Sequence, residues 1–187
     1  MSDPQAFRFR PALLRSAQDW VLDGRDLRGP YERFNLDLVT ETLFAEMGVR
    51  RGGVIRRLDL IHPQGKLSIS VTGIASDRNV RAHADLVGAI LARLAERDET
   101  LPLVIGERGA PRLTMFLAGF FSLLAAAGLG IAVAVGNGRS NAEVFLSLGV
   151  LAVFGLVVSA RYRPWAALPR MTVGIAPALI AALKSPR

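Results

Sequence analysis

The 187-residue chain contains no cysteine, which excludes disulfides, thiolate metal sites and cysteine nucleophiles. It has two histidines, His62 and His83, so a histidine-rich metal site is not expected. It also lacks a Walker-type glycine loop, HExxH, GxSxG and a dinucleotide fingerprint. Gly48 to Gly53, GVRRGG, is glycine-rich but has no helix-opening context for a phosphate cradle. The most informative absence is local. Charged residues make up 21% of the chain, yet Leu113 to Gly138, LTMFLAGFFSLLAAAGLGIAVAVGNG, has none. Hydrophobic residues make up 51% and the mean hydropathy is +0.33, so charge and apolarity are segregated along the sequence.

Leu113–Gly138 is long enough, at about 1.5 Å per helical residue, to cross a hydrocarbon core of roughly 30 Å. A second run, VFLSLGVLAVFGLVVSA (Val144–Ala160), sits at the short end of the spanning range, which Asn141, Ala142 and the long reach of Arg161 extend by snorkelling. Only Gly136–Glu143 separates the two, which predicts an antiparallel helical hairpin. Neither span carries an ionisable side chain, so no proton relay or ion path is indicated. Small residues recur every four positions at Gly128, Ala132 and Gly136, and again at Gly155 and Ser159. That spacing lets helix backbones approach closely in lipid. It predicts packing of the two spans on each other, with contact to another protein's helix as the alternative.

The formal net charge of +7 is unevenly placed. Met1 to Arg112 contributes +2, Leu113 to Ala160 contributes 0, and Arg161 to Arg187 contributes +5. Arg108 and Arg112 precede the first span; Arg161, Arg163 and Arg170 follow the second. A Lys/Arg excess marks cytoplasmic flanks, so both termini are expected in the cytoplasm and the GNGRSNAE turn outside. Tyr162 and Trp165 suit the headgroup layer, and Pro164 breaks the helix, sending the tail along the membrane or back over the domain. The opening MSDPQAFRFRPALLR lacks the apolar stretch of a secretory signal, so translocation of the first 110 residues is not expected.

Before the spans, RLDLIHPQGKLSISV (Arg57–Val71) alternates apolar and polar residues around His62-Pro63-Gln64-Gly65, a hairpin with one buried face. Phe7–Arg10, Trp20–Leu22 and Leu36–Phe44 are strand-like, although TETLFAEMG suits a helical turn equally well. Ser76–Glu96 places Val80, His83, Val87, Ile90 and Leu94 at helical spacing, with Ser76 or Asp77 as N-cap. LPLVIGERGAPR then joins the domain to the first span.

Short strands followed by one amphipathic helix resemble the bacterial pleckstrin-homology-like (PH-like) domain. The resemblance covers about Phe7 to Ala95, through DWVLDGRDLRG, VIRRLDLIHPQGKLSISV and ADLVGAILARLAE. The whole chain is similar to proteins that place such a domain before a two-span hairpin and follow it with Arg-Pro and Leu-Pro, here Arg163-Pro164 and Leu168-Pro169. The resemblance implies an α+β fold, a bent antiparallel sheet or barrel capped by the helix; an α+β domain of another kind is the alternative. The expected organisation is a cytoplasmic PH-like domain at residues 1–106, a transmembrane hairpin at 107–160 with spans at about 113–135 and 142–160, and a basic cytoplasmic tail at 161–187.

No catalytic constellation is legible. His83 lies on the apolar stripe of its helix and reads as a core histidine, and His62 as an exposed turn residue. Asp19, Asp23 and Asp26 alternate with Arg25 and Arg28, a solvated turn. Arg50, Arg51, Arg56 and Arg57 remain as the candidate surface for a partner or for lipid headgroups. The expectation is therefore a non-enzymatic interaction module of a bacterial inner-membrane complex, an accessory subunit, assembly factor or scaffold. The alternative is a sensor of anionic lipid working through those four arginines. The implied partners are the bilayer and another membrane protein or complex, with self-association a further option, no nucleic acid and no cofactor.

Overall fold

The computed structural model describes residues 3–49, 52–106, 108–135, 142–176, 178 and 180. It is an α+β chain whose described residues form two sheets and three α-helices, the two long apolar helices at the C-terminal end. The chain divides into two compact units. One comprises the residues up to Gly106 together with those from Leu168 onward, and the other the residues between.

The first unit opens with an antiparallel meander, β1 (Gln5–Phe9), β2 (Gln18–Asp23), β3 (Asp26–Arg28) and β4 (Arg33–Asn35). Phe9, Trp20, Leu22, Leu27 and Phe34 alternate inward from it, as period-two strands require. Gly29 sits beneath the Trp20 ring, where a Cβ would lie 2.7 Å from a ring carbon. The strand-like Leu36–Phe44 divides. Leu36–Leu38 forms a 3-10 turn whose N-cap Asn35 accepts the Asp37 N–H through its side chain at 2.7 Å. β5 begins only at Glu41 and runs to Val49, so TETLFAEMG is strand rather than helical turn.

β5 pairs with β6 (Gly53–His62), and β6 with β7 (Gly65–Ile74), all antiparallel. His62 pairs with Gly65, leaving Pro63 and Gln64 as the turn. Leu58, Leu60, Leu67, Ile69 and Val71 are buried on one face. α1 (Arg78–Arg97) follows and buries Val80, His83, Val87, Ile90 and Leu94 against both sheets. At its end the Arg97 guanidinium donates to the carbonyls of Leu36 (2.6 Å) and Val39 (2.7 Å), tying the helix to the 3-10 turn.

LPLVIGERGAPR is more than a linker. Pro102–Ile105 forms β8, parallel to β5, with the Thr42 hydroxyl donating to the Pro102 carbonyl at 3.1 Å. The segment after the second long helix then returns to the sheet. Arg170–Thr172 forms β9, antiparallel to β8, giving the order β7-β6-β5-β8-β9. Beyond it Val173 and Ala176 are fully buried in the core, and Ile180 packs near Gly88 of α1. Of the two courses open to the tail, the chain takes the one over the domain. Val173→Asp is expected to destabilise this unit by about 3 kcal/mol or more, because it buries an unpaired charge; loss of the β-sheet signal at lower temperature in mild detergent measures it.

The second unit is an antiparallel pair, α2 (Ala110–Val135) and α3 (Ala142–Arg161). Both are long and apolar enough to cross a membrane, and their most apolar windows are only 11% and 6% buried. The core helix of a soluble protein hides such a surface; these two display it. The Thr114, Ser122 and Ser147 hydroxyls return to the carbonyls four residues back, at 2.8–2.9 Å, so none needs water. The helices touch at Gly119, Gly155 and Ser159: a Cβ on Gly119 would lie 2.7 Å from the Ser159 backbone nitrogen, and one on Gly155 would lie 2.7 Å from the Gly119 carbonyl oxygen. Gly119→Ala therefore forces the helices apart and should cost about 1–3 kcal/mol, read as earlier unfolding when sodium dodecyl sulfate is titrated into detergent micelles.

Candidate functional site

Of the four arginines singled out in the sequence, the two that the structure describes, Arg56 and Arg57, face opposite sides of β6. Arg50 and Arg51 lie outside the described residues. Arg56 points to the core side of β6, is 5% exposed, and its Nε donates to Glu46 at 3.0 Å. Arg57 points to the other side and lies 3.3 Å from Asp59, close enough for an ion pair without hydrogen-bond alignment. Asp59 is itself buried and accepts from the Ser68 hydroxyl (2.7 Å) and the Lys66 ammonium (3.4 Å). The alternation that looked polar-out therefore encloses two charged groups, each matched by an opposite charge as burial requires. Leu168, from the returning tail, covers the neighbouring apolar group of Leu43, Ala45 and Val104.

His83 occupies the core between α1, β1 and β7. Its Nε2 lies 3.2 Å from the Ile69 carbonyl, and the Phe9 ring meets it edge-on at 5.4 Å. The Ile69 contact requires Nε2 to carry the proton, which leaves Nδ1 buried without a partner among the described residues. Burial pushes the imidazole down from its ordinary 6.5 to about 4; the Ile69 hydrogen bond opposes the fall and the Arg56 charge adds to it. Above pH 6.5 the ring is neutral whether the chain is folded or unfolded. Between 6.5 and 4 only the unfolded chain takes up the proton, so stability falls with pH, by on the order of 3 kcal/mol in full. His83→Gln should abolish this part of the acid sensitivity, seen as a flatter thermal stability profile from pH 7 to pH 4 than the unsubstituted chain gives.

The acidic trio near the second strand behaves as a solvated turn. Asp19 pairs with Arg8 at 3.5 Å and Asp23 with Arg28 at 3.5 Å, while Arg25 reaches both carboxylate oxygens of Asp37 at 3.1 Å. Among the described residues, no three His, Asp or Glu side chains gather as a metal site would need.

The membrane-flanking set falls at the ends of the long helices. Arg112 is in the first turn of α2 and Arg161 is the last residue of α3; Arg108 lies just before α2. After Tyr162, Arg163 begins a turn closed by the Ala166 N–H on its carbonyl at 3.2 Å, with Pro164 at the second position. Trp165 is 71% exposed, and its ring edge meets Phe116 of α2 at 5.3 Å. Arg170 opens β9. The small-residue faces separate: Gly155 and Ser159 pack on Gly119, whereas Gly128 meets nothing within 4 Å and Ala132 is exposed. Gly136 lies outside the described residues.

One end of the first unit carries apolar side chains left exposed among the described residues. Met47 pairs with Ile55, and Ile55 with Thr72; Val49 and Ile74 both pair with Gly53. Directly paired residues share a face, so Met47, Val49, Ile55 and Ile74 all project outward together, and all four are exposed. Beside them the Thr72 N–H donates to the Pro11 carbonyl at 2.7 Å, which brings the β1–β2 loop to the same end. Its Leu13 and Leu14 are 87% and 100% exposed. In the sequence this feature is PALLR, two adjacent leucines in a loop, which carry neither a helical nor a strand period. Comparison with protein-family models, curated proteins and solved structures finds no match for this chain.

Proposed function

We propose that this protein is a membrane-anchored interaction module of the bacterial inner membrane, not an enzyme, acting as an accessory subunit, assembly factor or scaffold of a membrane complex. In this reading the first unit is a PH-like domain on the cytoplasmic side. Its order of four strands, three strands and a closing helix supports that assignment; β8 and β9 are additions to it. The two-span hairpin is the anchor. Its connections come from neighbouring antiparallel strands, so the chain leaves and rejoins the domain at one edge, which suits an even number of crossings. The Lys/Arg excess after α3 suits a cytoplasmic position for that edge.

The observation that carries the partner reading is the division of the small-residue faces. The hairpin's own packing uses Gly119, Gly155 and Ser159, and leaves the Gly128 and Ala132 face of α2 bare. In lipid such a face gains nothing from water exclusion and is useful for close approach by another helix. Purification in mild detergent should then yield a stoichiometric membrane partner, and Gly128→Leu with Ala132→Leu should release it while the protein stays folded and inserted. A chain that runs alone in every mild detergent, or a partner that the double variant retains, overturns the reading.

A further inference from the structure

We infer that the uncovered end of the first unit, led by Leu13 and Leu14, is a second membrane contact that lies in the headgroup layer of an anionic bilayer. The inference rests on the membrane-anchored reading above and adds to it a surface that the two spans do not include.

The leucine tip is held, not loose. The Arg15 N–H closes a turn on the Ala12 carbonyl at 3.0 Å, with Leu13 and Leu14 as its central residues. The stem is pinned twice, by Pro11 on the edge of β7 and by the Arg10 N–H donating to the Asn79 side chain at 3.0 Å. A fixed turn that shows two leucines to solvent has given up their burial, which a lipid surface restores. Its charge is one-sided. No carboxylate occurs between Phe7 and Gln18, and the exposed Arg10 and Arg15 bracket the leucines and make no ion pair among the described residues. Cations beside a shallow apolar tip match the chemistry of an acidic headgroup layer. The Asp77 carboxylate, at the end of β7, is turned to the Ile74 N–H at 3.4 Å.

β8 runs parallel to β5, and the Gly106 N–H donates to the Phe44 carbonyl at 2.9 Å. The chain therefore leaves the sheet in the direction in which β5 continues toward Met47 and Val49. From Phe44 to Val49 the strand advances about 17 Å. The turn at Pro63-Gln64, at the opposite end of β6, points away from that exit.

Because the chain has no cysteine, single substitutions label one site each. Leu14→Cys, Gln64→Cys and Leu124→Cys, each carrying an environment-sensitive fluorophore, are compared in full-length protein reconstituted into nanodiscs with and without phosphatidylglycerol and doxyl-labelled lipid. Leu14 is fully exposed and Gln64 is an exposed turn residue, so neither label disturbs packing. The expected result is lipid quenching at Leu124 and Leu14 and none at Gln64. The Leu14 signal should depend on phosphatidylglycerol, weaken with salt, and fall roughly fivefold for each of Arg10→Glu and Arg15→Glu. Quenching at Leu124 without quenching at Leu14 overturns the contact while the anchor stands. A Leu14 label shielded from an aqueous quencher but untouched by lipid overturns it in favour of a protein surface. Failure to quench Leu124 removes the anchored reading and this inference together.

Discussion

The pairing of β8 with β9 is the constraint on which the rest of the molecule depends. β8 has only four residues, and its backbone groups are satisfied by β5 on one side and β9 on the other. The chain between these neighbours is the helical hairpin, so the sheet edge closes only when the chain has come back through both helices. Adjacent strands lie about 4.8 Å apart, whereas packed helices ordinarily lie 8–10 Å apart. Within the helix pair, Gly119 of α2 lies against Gly155 and Ser159 of α3. The segment after β9 uses that closure to bring Val173 and Ala176 into the core around α1.

The buried polar groups follow from the same economy of space. β6 lies between β7 and β5, with Leu58 and Leu60 facing the main core. Two of its charged residues, Arg56 and Asp59, are buried. Arg56 on one face therefore meets Glu46, and Asp59 on the other meets Arg57, Lys66 and Ser68. Removing one partner leaves the other charge buried alone, which costs more than the pair contributes. His83 reaches neutrality by a different route: it has no counter-charge, so burial keeps the proton off the ring.

Much of this was legible in the sequence where a period or an absence was long enough to read. The two helices announce themselves through uncharged runs, the β6–β7 hairpin through alternation around His62–Gly65, and α1 through its apolar stripe, including His83. What escaped depends on pairing between distant residues. PLVI has the β-branched content of a strand but only four residues, and RMT has three; the first is a strand by pairing with β5 and the second by pairing with β8. Arg56 looked solvent-facing because a local pattern cannot show that it shares the core face with Leu58 and Leu60, where Glu46 meets it. The Gly128 and Gly155 spacings looked equivalent, and only the register of the helices separates a face that is used from one that is bare.

The charge of the chain is best understood through this arrangement. Arg8, Arg25, Arg28, Arg56, Arg57 and Arg93 each stand beside a carboxylate, and Arg97 caps carbonyls. The charge of these cations is met within the fold. The excess that remains lies in the last 27 residues, beginning where α3 ends. There Arg161, the last residue of α3, lies at the negative end of the helix dipole. The pI near 11 therefore owes most to the segment that follows the second apolar helix.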